Sequence, residues 1–434
     1  MSDHAIAATP VVPSPAAARP IVASSIAAQI DAAALAIEAQ VIAWRRDFHQ
    51  HPELGNREFR TAGIVAAHLR ALGFDELRTE VAHTGVVGLL KGALPGPCVA
   101  LRADMDALPV AEAVDLPFAS KLRSEWNGEQ VGVMHACGHD CHVAILMGVA
   151  TVLAGLREQL RGSVKFIFQP AEEMPPEGEE GGAKMMVEQG AMDNPRPAAV
   201  FGLHVISRLP AGVVGYRPGA ILASADSLKI TIQGRQTHGA MPWMGVDPIV
   251  TAAQVVLGLQ TVVSRQIDIT REPAVLTLGT IKGGVRENII PDSVEMLGTI
   301  RSFDEDMRDD IHGRVTYLAE AIARGSRAGC TVCIRKRYPV TVNDPALTEA
   351  MRPTLQRVAG PEGLMLVPKA SASEDFSYFQ RVSPGLFIVL GVSPRGTDIA
   401  NAAPNHSPHF FVDESTFVLG VRSLAHLACD YLEN

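Results

Sequence analysis

Apolar residues recur at helical spacing across residues 26–48, at Ile26, Ile30, Ala33, Ile37, Val41, Trp44 and Phe48, and predict one amphipathic helix. A second helix is predicted over residues 59–72, stopped by Gly73. Short apolar runs bounded by Gly and Pro follow at residues 85–90, 98–103, 164–168, 198–203 and 386–392. These read as buried strands, and a helical stretch at 143–160 falls among them. The alternation predicts an α/β core with a largely parallel sheet.

From about Ser224 the pattern changes. Leu228, Ile230 and Ile232 alternate with polar residues as in a half-exposed strand; a helix follows at 247–263, strands at 275–281 and 293–300, a helix at 305–324 and a strand at 331–337. This β-α-β-β-α-β order is that of a ferredoxin-like α+β sandwich. The run at 386–392 and a helix at 414–432 return to the first pattern, so the sandwich reads as an insertion at 223–338. Core segments at 26–222 and 339–434 flank it, and residues 1–25, rich in Ala and Pro, are expected to form a disordered tail.

Composition agrees with two domains, because 434 residues at 47 % hydrophobic content exceed one ordinary core. The net charge of −9, from 38 basic and 47 acidic residues, argues against nucleic-acid or anionic-membrane partners and for small molecules. No apolar run approaches the roughly 18 to 20 residues that span a bilayer. The N-terminal stretch has no Lys or Arg before Arg19 and makes a poor secretory signal. Six cysteines in so long a chain point to a reducing compartment, and the expected location is cytoplasmic. Cys330 and Cys333 form a C-x-x-C, but on a strand they face opposite ways, which argues against joint chelation there.

Each polar cluster sits just after a predicted strand: Asp104-Met105-Asp106, Glu172-Glu173, His204, and Asn405-His406. The C-terminal edge of a parallel sheet is where such folds bind ligands, so these clusters are expected to converge. The densest group of metal-capable side chains is 134–142, where Cys137 and His139 supply a thiolate and an imidazole on a loop before a helix. Thiolate, imidazole and carboxylate together suit Zn, Mn, Co or Ni. His135, Asp140, Cys141 and His142 are assigned to the loop, to supporting contacts or to the core. Adjacent carboxylates such as Glu172 and Glu173 can divide labour, one binding a metal while its neighbour takes a proton from water. No G-x-S-x-G elbow and no phosphate-binding glycine motif is present.

Seven motifs in order carry a resemblance: 101–109 (Leu-Arg-Ala-Asp-Met-Asp-Ala-Leu-Pro), 135–140 (His-Ala-Cys-Gly-His-Asp), 170–173 (Pro-Ala-Glu-Glu), 202–204 (Gly-Leu-His), 288–292 (Asn-Ile-Ile-Pro-Asp), 373–376 (Ser-Glu-Asp-Phe) and 406–408 (His-Ser-Pro). Across residues 44–411 the chain resembles the aminoacylase and carboxypeptidase-G-like dinuclear metallopeptidases. Within them it is most similar to the amidohydrolase branch of hippurate hydrolases, N-acyl-amino-acid amidohydrolases and indoleacetyl-amino-acid hydrolases.

The resemblance implies a zinc-peptidase-like α/β catalytic core with an inserted lid and dimerisation domain, two divalent transition-metal ions, and a homodimer or dimer-based oligomer. Cys137, His139, Glu173, His204 and His406 match the branch's five metal-ligand positions, with their division between the two metals left open. Glu172 matches its general base, and Asp106 the carboxylate that steadies the centre by orienting a ligating His. His238, in the segment 237–242, matches a His that reaches the substrate carbonyl, often from the partner subunit. Asn288 and Arg301 match positions for the oxyanion or the substrate carboxylate. The chain departs from the wider family where Asp104-Met105-Asp106 replaces His-x-Asp, with Cys137 and His204 as substitute ligands, and where Trp243 replaces a His. The implied reaction is hydrolysis of the amide bond of an N-acyl amino acid by metal-activated water. The alternatives are a dipeptidase or carboxypeptidase on the same scaffold and, more remotely, a non-catalytic binding protein.

Overall fold

Eight strands build the larger of two main sheets in the computed structural model, which describes residues 23–434. The spatial order is Glu76–Val81, Gly85–Lys91, Arg161–Gln169, Leu94–Asp104, Ala199–Pro210, Gly385–Ser393, Val214–Tyr216 and Leu364–Leu366. The centre is parallel: Leu94–Asp104 lies between Arg161–Gln169 and Ala199–Pro210, and Gly385–Ser393 runs alongside Ala199–Pro210. The first two strands of the order are antiparallel additions. All five apolar runs are strands of this sheet, buried on both faces where they pass through the centre.

The helix expected over 143–160 spans His139–Gly155, so it starts four residues earlier. Its first-turn polar residues are buried against partners, Asp140 on Arg45 and His49, and His142 on Asp104, which allows the turn to be helical inside the core. His139 is thus the first helical residue and does not lie on the preceding loop. The helix is apolar nearly all round and packs on the sheet beside the last helix, Phe417–Glu433. Burying side chains such as Ile145, Leu146 and Met147 contributes about 1.5–3 kcal/mol each.

The single helix expected over 26–48 is two, Ala27–Ala36 and Glu38–Gln50, separated at Ile37 with φ −102° and ψ 5°. The apolar spacing runs through this break because both helices press the same stripe onto the core. The expected tail lies outside the described residues as far as residue 22. Beyond it, the Ser24 amide donates to Asp430 Oδ1 at 2.7 Å and the Ser25 amide to Glu433 Oε2 at 2.9 Å, tying both to the last helix.

The second main sheet has four antiparallel strands in the order Ala274–Gly283, Ser293–Ser302, Ala225–Gln233 and Gly329–Tyr338. Helices Pro248–Thr261 and Glu305–Gly325 pack on one face, giving the β-α-β-β-α-β order and a separate core around Ile230, Val255, Met296 and Ile311. Asp247 and Asp304 cap the two helices by accepting from the Ile249 and Met307 amides, each at 2.8 Å. Cys330 and Cys333 lie on one strand, Cys330 half-buried and Cys333 exposed. The opposite face of this sheet, carrying Arg301, looks toward the parallel edge of the larger one, where Arg301 Nη1 donates to Ser373 Oγ at 2.9 Å.

Candidate metal centre

Strand register brings the polar clusters to one level. Asp104 lies opposite Gln169, Arg102 opposite Gly202, and Val389 opposite His204, so Asp106, Glu172, His204 and the loop after 393 all meet at one sheet edge. The segment 134–138 carries Cys137 to this edge, and His139 opens the helix that follows. Gly138 between them has φ 90°, left-handed backbone that turns the thiol and the imidazole toward the same space.

Several groups of donors gather there; Cys137 belongs to two of them, and a third, His139 with Glu172 and Glu173, spans those two. The Cys137 Sγ lies with donor atoms of His139 and His204 in one group, and with those of Glu173 and His406 in another, each group lying within 4.8 Å. Cys137 Sγ is 3.4 Å from His204 Nε2 and 3.2 Å from His406 Nε2, and His406 Nε2 is 2.8 Å from Glu173 Oε1. Further contacts aim the donors. His204 Nδ1 donates to the Val205 carbonyl at 2.7 Å, which leaves Nε2 facing the thiol. His139 Nδ1 is 3.2 Å from Asp106 Oδ1, which leaves its Nε2 facing inward. Asp106 also accepts from the Glu172 and Glu173 amides at 3.0 and 2.9 Å, and so fixes the turn that carries both glutamates.

These residues fit a pair of divalent cations. Buried His139 Nε2 has no hydrogen-bond partner among the described residues, an expensive arrangement unless a cation sits beside it. Burial, with the carboxylates of Glu173 and Glu172, pushes the Cys137 thiol well above its usual range, so a thiolate forms there only with a cation alongside. Burial and His142 hold His204 well below the ordinary imidazole value, in the neutral form that ligates. Burial opposes charge on His139 as well, but Asp104 and Asp106 outweigh it and lift the ring to about 10. His142 is already committed: Nδ1 meets Asp104 at 2.5 Å, and Nε2 accepts from the Val205 amide at 2.8 Å.

Glu172 is 5 % exposed, beside the donors. Burial, followed by Glu374 and Glu173, raises its carboxyl well above the usual carboxylate range. Buried Arg102 offsets the surrounding negative charge, contacting Asp104 at 2.6 Å, Glu374 at 2.9 Å and Asp375 at 3.0 Å.

A cavity of about 490 Å³ opens over the donors, with Arg301 on its wall and Ile206, Leu222, Phe387 and Val389 on its apolar side. Arg301 is half-buried, Ser373 is its one hydrogen-bond partner among the described residues, and burial lowers its pKa. His238 and Asn288 do not line this cavity. They lie exposed beside each other at the two-stranded ladder of Thr237–His238 and Ile289–Ile290, where the Gly239 amide donates to the Asn288 carbonyl. Three contributors had no role assigned from sequence: Arg102, Glu58 and Tyr338. Glu58 accepts the Ala171 amide at 2.8 Å, and the Tyr338 hydroxyl donates to the Glu172 carbonyl at 2.6 Å.

The pattern of Peptidase family M20/M25/M40 matches residues 100–430. The chain is 39 % identical to thermostable carboxypeptidase 2 of Saccharolobus solfataricus, over 91 % of this chain and 96 % of that one. It is 36 % identical to an N-acetyl-L-cysteine deacetylase of Bacillus subtilis, over 88 % and 86 % of the two chains. A Bacillus subtilis crystal structure described as a dinuclear metal-binding peptidase of the M20 family superimposes with a TM-score of 0.77 at 33 % identity, covering 92 % of this chain and 99 % of that one. With two donor groups joined at one thiol and this likeness along nearly its whole length, the chain belongs to peptidase family M20/M25/M40, as a metal-dependent hydrolase of its amidohydrolase branch.

Proposed function

We propose that the chain hydrolyses the amide bond of N-acyl amino acids or related conjugates, releasing a carboxylic acid and an amino acid. The observation that carries this reading is the pair of donor groups sharing Cys137 beneath a cavity that holds both Glu172 and Arg301. His139 and His204 would hold one cation with Cys137, and Glu173 and His406 the other. Zn, Mn, Co or Ni suits such a donor set. When bound, the cations supply Lewis acidity toward the carbonyl and water of lowered pKa.

The residues do the rest. A Glu172 carboxylate oxygen takes the proton of the attacking water and passes it to the leaving nitrogen as the C–N bond breaks. Asp106 keeps His139 and the Glu172-Glu173 turn in register. Arg301, a half-buried cation that pairs with no carboxylate among the described residues, suits the substrate's free carboxylate. The apolar wall of Ile206, Leu222, Phe387 and Val389 suits an acyl group better than the free ammonium of a dipeptide, which would need an anion there. His238 and Asn288 are assigned to the oxyanion from the partner subunit of a homodimer.

No described helix is long and apolar enough to cross a membrane, and all six cysteines are free, which supports a reducing cytoplasm. Glu172→Gln should keep both metals by elemental analysis yet lose about 100-fold or more in kcat on an N-acyl amino acid. A wild-type rate in the loaded variant would remove Glu172 from this role. N-benzoyl-amino acids should be cleaved faster than free-amino dipeptides, and the reverse order would favour a dipeptidase.

A further inference from the structure

Two non-glycine residues around the glutamate pair have left-handed backbone: Ala171 at φ 50° and Met174 at φ 87°. Such backbone persists only where the surroundings over-determine it. Three of the restraints come from the larger α/β unit. Glu58 accepts the Ala171 amide, Asp106 accepts the next two amides, and Gly55 leaves room for the turn. A Cβ at residue 55 would stand 3.2 Å from Ala171 Cβ and 3.1 Å from the Met174 carbonyl oxygen.

The fourth restraint comes from the inserted unit. Tyr338 is the last residue of the strand Gly329–Tyr338 and pairs with Ala225, the first residue of the strand that enters that unit. Its hydroxyl donates to the Glu172 carbonyl at 2.6 Å. The same peptide plane carries the Glu173 amide, which Asp106 Oδ2 accepts at 2.9 Å. One peptide, flanked by the assigned base and an assigned ligand, is therefore gripped on its C=O side by the lid and on its N–H side by the catalytic core. Tyr338 also stands where the metal cavity meets a second cleft of about 640 Å³, and the two share Glu173, Met174 and Tyr338.

We propose that Tyr338 is a positioning residue that couples the seating of the lid to the orientation of the Glu172-Glu173 peptide, aligning Glu172 for proton delivery to the leaving amine. The coupling rests on the reading of Glu172 as the proton carrier. With the hydroxyl removed, that peptide is free to rotate about its remaining tether, and the glutamate side chains rotate with it.

The test is Tyr338→Phe, which keeps the ring and deletes one donor. It is assayed on an N-acyl amino acid and on the matched ester, whose alkoxide leaving group needs less help from a proton than an amine does. The expected result is a fall of about 10-fold in kcat on the amide, less than about 3-fold on the ester, and KM within about 2-fold on both. Metal content and melting temperature should match the wild type. An unchanged amide kcat, an equal loss on both substrates, or a loss that follows metal content would overturn the proposal. Glu172→Gln run alongside separates the two readings. If it is inactive while Tyr338→Phe is unimpaired, only the coupling is rejected; if it retains the wild-type amide rate, the base assignment fails first and the coupling with it.

Discussion

Cys137 Sγ is the one donor atom common to both groups, so its loss and the loss of a ligand unique to one group should be distinguishable by counting metals. Cys137→Ala leaves each group two donors and is expected to bind well under about one metal per chain, whereas His204→Ala leaves the Cys137, Glu173 and His406 group intact and is expected to keep about one. Elemental analysis after gel filtration decides this; equal stoichiometry in the two variants would mean the thiol is not shared. Gly138→Ala should act on the same count from the backbone side. A Cβ there would overlap Val205 Cγ2, and the left-handed φ of 90° adds about 1–2 kcal/mol of strain, so both flanking donors move. Sequence could suggest Cys137 and His139 because their chemistry is local: two ligand types two residues apart beside a glycine. It could not assign Glu58 or Tyr338, whose contacts with the glutamate turn span 113 and 166 residues and involve main-chain atoms that leave no signature in side-chain type.

At the scale of elements, a buried carboxylate ties a strand of the inserted unit to one of that unit's own helices. Asp226, on the strand that enters the lid, receives Arg308 at 2.5 Å and His312 at 2.7 Å from the helix Glu305–Gly325. Burial raises the Asp226 pKa, but hydrogen bonds from His312 and Arg308 outweigh it and hold the carboxyl below its ordinary value. A depressed folded pKa contributes stability that is complete above the unfolded value, about 3.9, and is lost as pH falls through the folded one. Asp226→Asn leaves Arg308 buried with weaker compensation and should cost about 3 kcal/mol at pH 7. Measured by denaturant melts, the gap between variant and wild type should shrink below about pH 4; a gap that stays constant through that range would show that the charge on Asp226 contributes nothing. The elements that form this junction were legible because the lid helices and strands are long and strictly periodic. Strands such as Val214–Tyr216 and Leu364–Leu366 were not, being three residues each and held by the sheet edge rather than by any pattern of their own. The early start of the helix at His139 was hidden for a related reason, since its first turn reads as polar until Arg45 and Asp104 are placed beside it.

For the whole molecule, the exposed face of the lid bears on how the site is completed. Trp243, Leu257 and Val285 are 75 %, 73 % and 95 % exposed, and Ala274–Gly283 is an edge strand with one side unpaired. Exposed apolar side chains on a unit that also carries an open strand edge suit a self-complementary contact between two copies. His238 and Asn288 sit on the same unit, away from their own chain's cavity. If each chain lends them to its partner, two separately inactive variants should rescue one another. In a mixture of Glu172→Gln and His238→Ala chains, each mixed dimer holds one site with both wild-type residues, because the first chain donates its histidine to the second chain's glutamate. Random reassortment makes half the dimers mixed, so activity should recover to about one quarter of wild type. Light scattering should report dimers throughout, and Leu257→Asp should shift them toward monomers with metals retained. A mixture that stays as inactive as its parents after subunit exchange has been shown, or a fully active monomer, would place His238 in service of its own chain.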